Sequence, residues 1–139
     1  MSQFRFIKKE IVLFFHQQLI KEYGGLNGIR DEGLLDSALA QPQMTLLGDY
    51  AHKDVFEMAA AYGYHLCSNH PFLDGNKRIA LVVMDSFLQI NGWGLTADEK
   101  SMYGIMLQLA EGQLTILELA EWLQKHCENL KITMQGTFE

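Results

Sequence analysis

The sequence predicts an all-α domain, on three observations. Apolar residues recur at helical spacing through most of the chain, capping residues stand where the periodic stretches begin, and no alternating pattern competes convincingly. Ile11, Phe15, Leu19 and Tyr23 step by four, with Val12 and Ile20 on the same side, so a first helix presents them inward and ends at Gly24-Gly25. In GIRDEGLLDSALAQP, Asp31 caps a second helix whose inner face is Leu34, Leu35, Ala38 and Leu39, and Pro42 follows its end. Asp54 opens a third, VFEMAAAYGYHLCSN. It is apolar on nearly every side and carries small Ala59, Ala60, Ala61 and Gly63, so it is expected at the centre with neighbours packed closely. IALVVMDSFLQI makes a fourth helix and stops at Asn91-Gly92. Thr96 with Glu99, and Thr115 with Glu118, fit the capping-box pattern. They start helices through Met102, Ile105, Met106 and Leu109, and through Leu117, Ala120 and Leu123, with Gly112 closing the first of these. Short strand pairing is expected only near Met44 to Asp49.

A chain of 139 residues is read as one domain, spanning 1–130, with the polar stretch 131–139 as a flexible tail. Its 48% hydrophobic and 20% charged residues suit a globular protein. The net charge of -6 argues against direct nucleic-acid binding, which usually needs a basic surplus, yet leaves room for one small basic pocket. Cys67 and Cys127 match no metal or redox spacing and read as reduced thiols. The apolar IVLFF is cut off by His16, Gln17 and Gln18 with no cleavage site, and no apolar run reaches membrane-spanning length. A cytoplasmic protein is expected.

Between the two most apolar helices lies HPFLDGNKR, residues 70–78. A helix N-terminus exposes unpaired N–H groups and attracts anions, and Gly75 lets the backbone turn into a nest for one. Lys77 and Arg78 are cations at the wrong end of a helix dipole, a mismatch that a bound phosphate repairs. His70 is suited to take a proton from a hydroxyl, Asp74 to hold Mg²⁺ beside substrate phosphates, and Asn76 to donate to a phosphate or support the turn. Each residue alone has a plainer reading: Asp-Gly-Asn is common turn chemistry, Pro71 stops a helix, and a Lys-Arg pair is usually solvated. Together they supply the parts for phosphoryl or nucleotidyl transfer. A Walker segment, a zinc-type histidine pair and a GxSxG elbow around Ser68 are all missing from the sequence.

HPFLDGNKR resembles the core of the Fic-domain family, whose pattern reads HxFx(D/E)GNGRxxR, and more closely its Doc (death-on-curing) branch, where NKR replaces NGR. The likeness extends to YGGLNGIRDEGLLDSAL, to EMAAAYGYHLCSNHPF and to NGW at 91–93. It implies a Fic-like helical domain of about six or seven helices. It also implies His70 as the catalytic base, Asp74 as the Mg²⁺ ligand, and Gly75, Asn76, Lys77 and Arg78 as the ATP phosphate site. The family's second glycine is Lys77 here and its second arginine is Leu81, departures that speak against AMP transfer. The Doc resemblance implies a toxin kinase that moves the γ-phosphate of ATP to a threonine of elongation factor Tu and arrests translation. It implies as partner a small antitoxin whose C-terminal segment folds into a groove. GIRDEG is expected near that site, with Arg30 as a nucleotide or target contact. The alternatives are AMP transfer through an atypical loop and an inactive protein-binding module.

Overall fold

Helix α3 (Val55–Asn69) runs through the middle of the molecule because its sequence leaves it no polar face. Val55 to Gly63 are buried without a break. The computed structural model describes residues 3–131, and around α3 it arranges α1 (Lys9–Tyr23), α2 (Glu32–Ala40), α4 (Asn76–Ile90), α5 (Glu99–Ala110) and α6 (Ile116–Lys125). Helices α2, α4, α5 and α6 all pack against α3. The fold class is therefore the one expected. Apart from Lys131, the expected flexible tail lies outside the described residues.

Local signals set most helix starts. The side chain of Asp31 accepts from the Leu34 N–H at 3.0 Å and that of Asp54 from the Glu57 N–H at 2.9 Å. Thr115 and Glu118 form the full reciprocal box, at 3.1 and 3.0 Å. Each such cap stabilises its helix by about 1 kcal/mol. Pro42 lies buried in a 3-10 turn at Gln41–Gln43, right after α2. The pairing expected near Met44 is a hairpin, β1 (Thr45–Leu46) against β2 (Asp49–Tyr50), with Leu47 and Gly48 both at positive φ in its turn.

Three expectations need correction. The buried face of α1 is centred on Val12 and His16, while Ile11 and Tyr23 are 44% and 56% exposed. A residue one step from the best apolar row becomes central because His16 has a hydrogen bond to make there. Thr96 does not cap α5; Asp98 does, accepting from the Ser101 N–H at 2.7 Å. Thr96 instead gives both its N–H and its hydroxyl to the carbonyl of His126. That contact extends an antiparallel pair, β3 (Trp93–Leu95) with β4 (Cys127–Asn129), which had no signal in the local pattern. In α6, Leu117 is 64% exposed and Leu119 takes the buried place with Ala120 and Leu123.

The core closes most tightly where α3 meets α4. A Cβ built on Gly63 would fall on the Sδ and Cγ of Met84, itself 1% exposed, so glycine is needed for the two helices to approach this closely. Tyr62, fully buried, accepts the Ile7 N–H on its phenol oxygen at 3.0 Å and ties the N-terminal segment to α3. Burial pushes its hydroxyl up to about 12, with the Ile7 N–H pulling slightly the other way. Among the described residues no helix is long and apolar enough to cross a membrane.

Two outcomes follow from this packing. Gly63→Val should lower the unfolding free energy by about 1–3 kcal/mol through overpacking against Met84, read from urea denaturation. Tyr62 holds its proton more tightly folded than unfolded. Its contribution is whole below the ordinary value of 10.0 and is lost as the pH climbs through about 12. Stability measured across that window should fall, and Tyr62→Phe should flatten the fall.

Candidate active-site loop

The loop from His70 to Gly75 joins the end of α3 to the start of α4, and both of its ends are left-handed. His70 is the C-cap of α3 at φ 46°, ψ 56°, and Gly75 is the N-cap of α4 at φ 77°, ψ 19°. Glycine adopts that geometry freely, whereas a histidine there costs about 1–2 kcal/mol unless its surroundings hold it. Arg30 does the holding. Its Nε donates to the His70 carbonyl at 2.6 Å and a terminal nitrogen donates to the Asn69 carbonyl at 2.8 Å. The Asn69 side chain in turn donates to the Leu34 carbonyl at 3.0 Å. The imidazole of His70 is left exposed.

Asn76 closes the loop from within. Its Oδ1 accepts the Phe72 N–H and its Nδ2 donates to the Phe72 carbonyl, both at 3.0 Å. Phe72 points into the core, 1% exposed, and its ring lies flat on that of His16 at 3.8 Å and 12°. The segment 24–31 covers the loop's other edge. Ile29 bridges Phe72, the Arg30 and Asp31 N–H groups share the Pro71 carbonyl, and Leu73 donates to the Gly28 carbonyl. Asp74 is fixed twice: the Leu26 N–H donates to its Oδ2 at 3.1 Å, and His16 Nε2 lies 2.8 Å from its carbonyl oxygen. Gly25 permits this approach, since a Cβ there would stand 3.0 Å from Asp74 Oδ2.

What remains unspent faces outward. No side chain caps α4, and among the described residues the N–H groups of Gly75, Asn76, Lys77 and Arg78 find no acceptor. An open helix N-terminus of this kind is able to attract an anion, with the helix dipole behind it. Lys77 and Arg78 are both exposed and diverge by about 100° around the helix. Arg78 lies 4.3 Å over the Tyr23 ring, a cation–π contact. Burial pushes the Cys67 thiol up, and the charge of Lys77 partly offsets this.

The six residues singled out by sequence thus share one short loop and the first turn after it. Asn76 takes up the turn-supporting alternative with its side chain, leaving its N–H for an anion. Arg30, expected as a nucleotide or target contact, donates to the carbonyls of Asn69 and His70. Sequence reading passed over His16, although a histidine between Val12 and Ile20 on the buried side of α1 was a signal. Two surface cavities, of about 390 and 530 Å³, are lined by Tyr64 with residues 112–118 and by residues 6–10 with Asp36, Leu39, Ala40 and Gln43; neither touches the loop.

One loop of a helical domain thus carries a histidine, a carboxylate and an open helix N-terminus. The model of the Fic/DOC family matches residues 6–88, and the chain belongs to that family. It is similar to the protein named Toxin Doc of Mycolicibacterium smegmatis, 46% identical over 76 residues, which are 55% of this chain and 58% of that protein. It is also similar to the Protein kinase doc of Escherichia phage P1, 29% identical over 121 residues, 87% of this chain and 94% of the phage protein.

Arg30→Met removes two charge-assisted bonds from the loop's first carbonyls. It should speed amide exchange at Phe72 and Leu73 well before α5 or α6, and cost about 1–3 kcal/mol of stability. Native-state hydrogen exchange with a denaturant series checks both.

Proposed function

We propose that this chain is a Doc-type toxin that transfers the γ-phosphate of ATP to a threonine hydroxyl of elongation factor Tu in the cytoplasm and so arrests translation. The observation that carries the reading is the open first turn of α4 beside Asp74 and His70, with Lys77 directly after Asn76. Similarity to a protein named as a kinase over 87% of the chain supports phosphoryl transfer over a mere binding role.

The chemistry follows from the groups in place. The triphosphate lies against the N–H groups of Gly75 to Arg78, with the side chains of Lys77 and Arg78 neutralising its charge. His70 accepts the proton of the acceptor hydroxyl as its oxygen forms a bond to the γ-phosphorus. The bond from that phosphorus to the bridging oxygen breaks, and ADP leaves. Asp74 suits Mg²⁺. One of its oxygens is spent on the Leu26 N–H, the other makes no hydrogen bond among the described residues, and no group of three potential ligands surrounds it. A single carboxylate completed by phosphate oxygens and water is ordinary Mg²⁺ coordination, and the ion when bound would neutralise phosphate charge. Lys77 puts a side chain where the AMP-transferring pattern has a second glycine, and Leu81 stands where that pattern has an arginine. Both favour moving a phosphate over moving a nucleotide. In keeping with the relative named Toxin Doc, a small antitoxin is the expected partner, its C-terminal segment seated in a groove of this domain.

The test uses ATP labelled on the α- or the γ-phosphate with purified elongation factor Tu. Label transferred from γ alone is expected; transfer from α alone overturns the kinase in favour of AMP transfer, and transfer of neither leaves a binding module. His70→Ala should reduce the rate by about a hundredfold or more while leaving the helical circular dichroism intact. Asp74→Asn should raise the Mg²⁺ concentration needed for half-maximal rate.

A further inference from the structure

His16 is one of two polar or charged residues buried among those described, at 2% exposure. A buried imidazole needs a hydrogen-bond partner. It has one in the Asp74 carbonyl oxygen, 2.8 Å from Nε2. A carbonyl only accepts, so Nε2 carries the hydrogen and donates. The ring cannot swing away, because it is stacked on Phe72 at 3.8 Å, and Phe72 is itself held at both backbone groups by Asn76.

The consequence lies one atom further on. In a trans peptide the carbonyl and the following N–H point in opposite directions, and the described residues contain no cis bond. Drawing the Asp74 carbonyl inward to α1 therefore turns the Gly75 N–H outward, away from α1. A Cβ at Gly75 would lie 3.6 Å from both His16 Nε2 and Ile20 Cδ1, so α1 lines the underside of the turn. Glycine at this position tolerates either orientation of the peptide plane. Flipped, the plane would aim a carbonyl at the incoming anion. Something must select one orientation, and among the described residues the donor that reaches that carbonyl is on α1.

We infer that His16 is a positioning residue that latches the Asp74–Gly75 peptide with the Gly75 N–H facing the phosphate site. The identity of the anion rests on the phosphotransfer reading above; the latch itself does not. A purely space-filling role predicts that leucine or phenylalanine serves as well as histidine. The latch requires a donor, which glutamine keeps near the place of Nε2.

The experiment compares wild type with His16→Leu, His16→Phe and His16→Gln in two measurements. The first is the residual dipolar coupling of the Gly75 N–H bond in ligand-free protein, which reports the direction of that bond. The second is the KM and kcat for ATP in the labelled transfer assay. In the two donorless variants the coupling should change and KM should rise about tenfold, the loss falling on KM rather than kcat, with His16→Gln restoring both. Using two donorless variants keeps the test alive if one fails to fold. An unchanged coupling in them overturns the latch whatever happens to ATP, and so does a changed coupling with an unchanged KM. A wild-type protein that transfers neither label overturns the kinase reading instead, and the coupling alone then decides the latch.

Discussion

The grip of the Asn76 side chain on both backbone groups of Phe72 is the contact on which the site depends. Helices α3 and α4 must lie close enough for Gly63 to accept Met84, so the chain has little room in which to reverse between them. A short reversal cannot satisfy its own backbone, and unpaired buried groups cost as much as lost hydrogen bonds. One amide group serves both a donor and an acceptor, and the ring between them goes into the core. With Phe72 so placed, His70 and Asp74 on either side are carried to the surface.

The remaining backbone groups of the loop are met from outside it. Arg30 takes the carbonyls at its start, Gly28 and the Arg30 and Asp31 N–H groups pair its middle, and His16 and Leu26 hold Asp74. Contacts of this sort fix the loop's geometry before any ligand arrives, so a ligand that binds there does not have to order it. The unsatisfied N–H groups are concentrated at the first turn of α4. An open first turn of this kind attracts anions, because its N–H groups and the helix dipole point the same way.

How much of this could be read beforehand differs by the range of the interaction. Asp31, Asp54 and Thr115 act within three residues of themselves, and each caps the helix that its spacing indicates. Thr96 has the same spacing to Glu99, yet its hydroxyl is taken by the carbonyl of His126, thirty residues on, and Asp98 caps in its stead. The first helix turned by one position for a similar reason. Apolar counting favours the row from Ile11 to Tyr23, but the buried side of α1 is turned so that His16 meets the Asp74 carbonyl.

The sequence by itself determined the helical class, the central place of α3, the caps and the identity of the loop, because periodicity and short-range hydrogen bonds are written in neighbouring residues. It also singled out six candidate residues, which lie on one loop and the first turn of α4. Only the tertiary structure decided which contacts hold the loop: Asn76 ties the turn, Arg30 grips carbonyls of Asn69 and His70, and His16 reaches the loop from a distant helix. Those roles depend on which donor meets which acceptor across the fold, and a backbone carbonyl that needs a partner leaves no mark in the sequence that surrounds it.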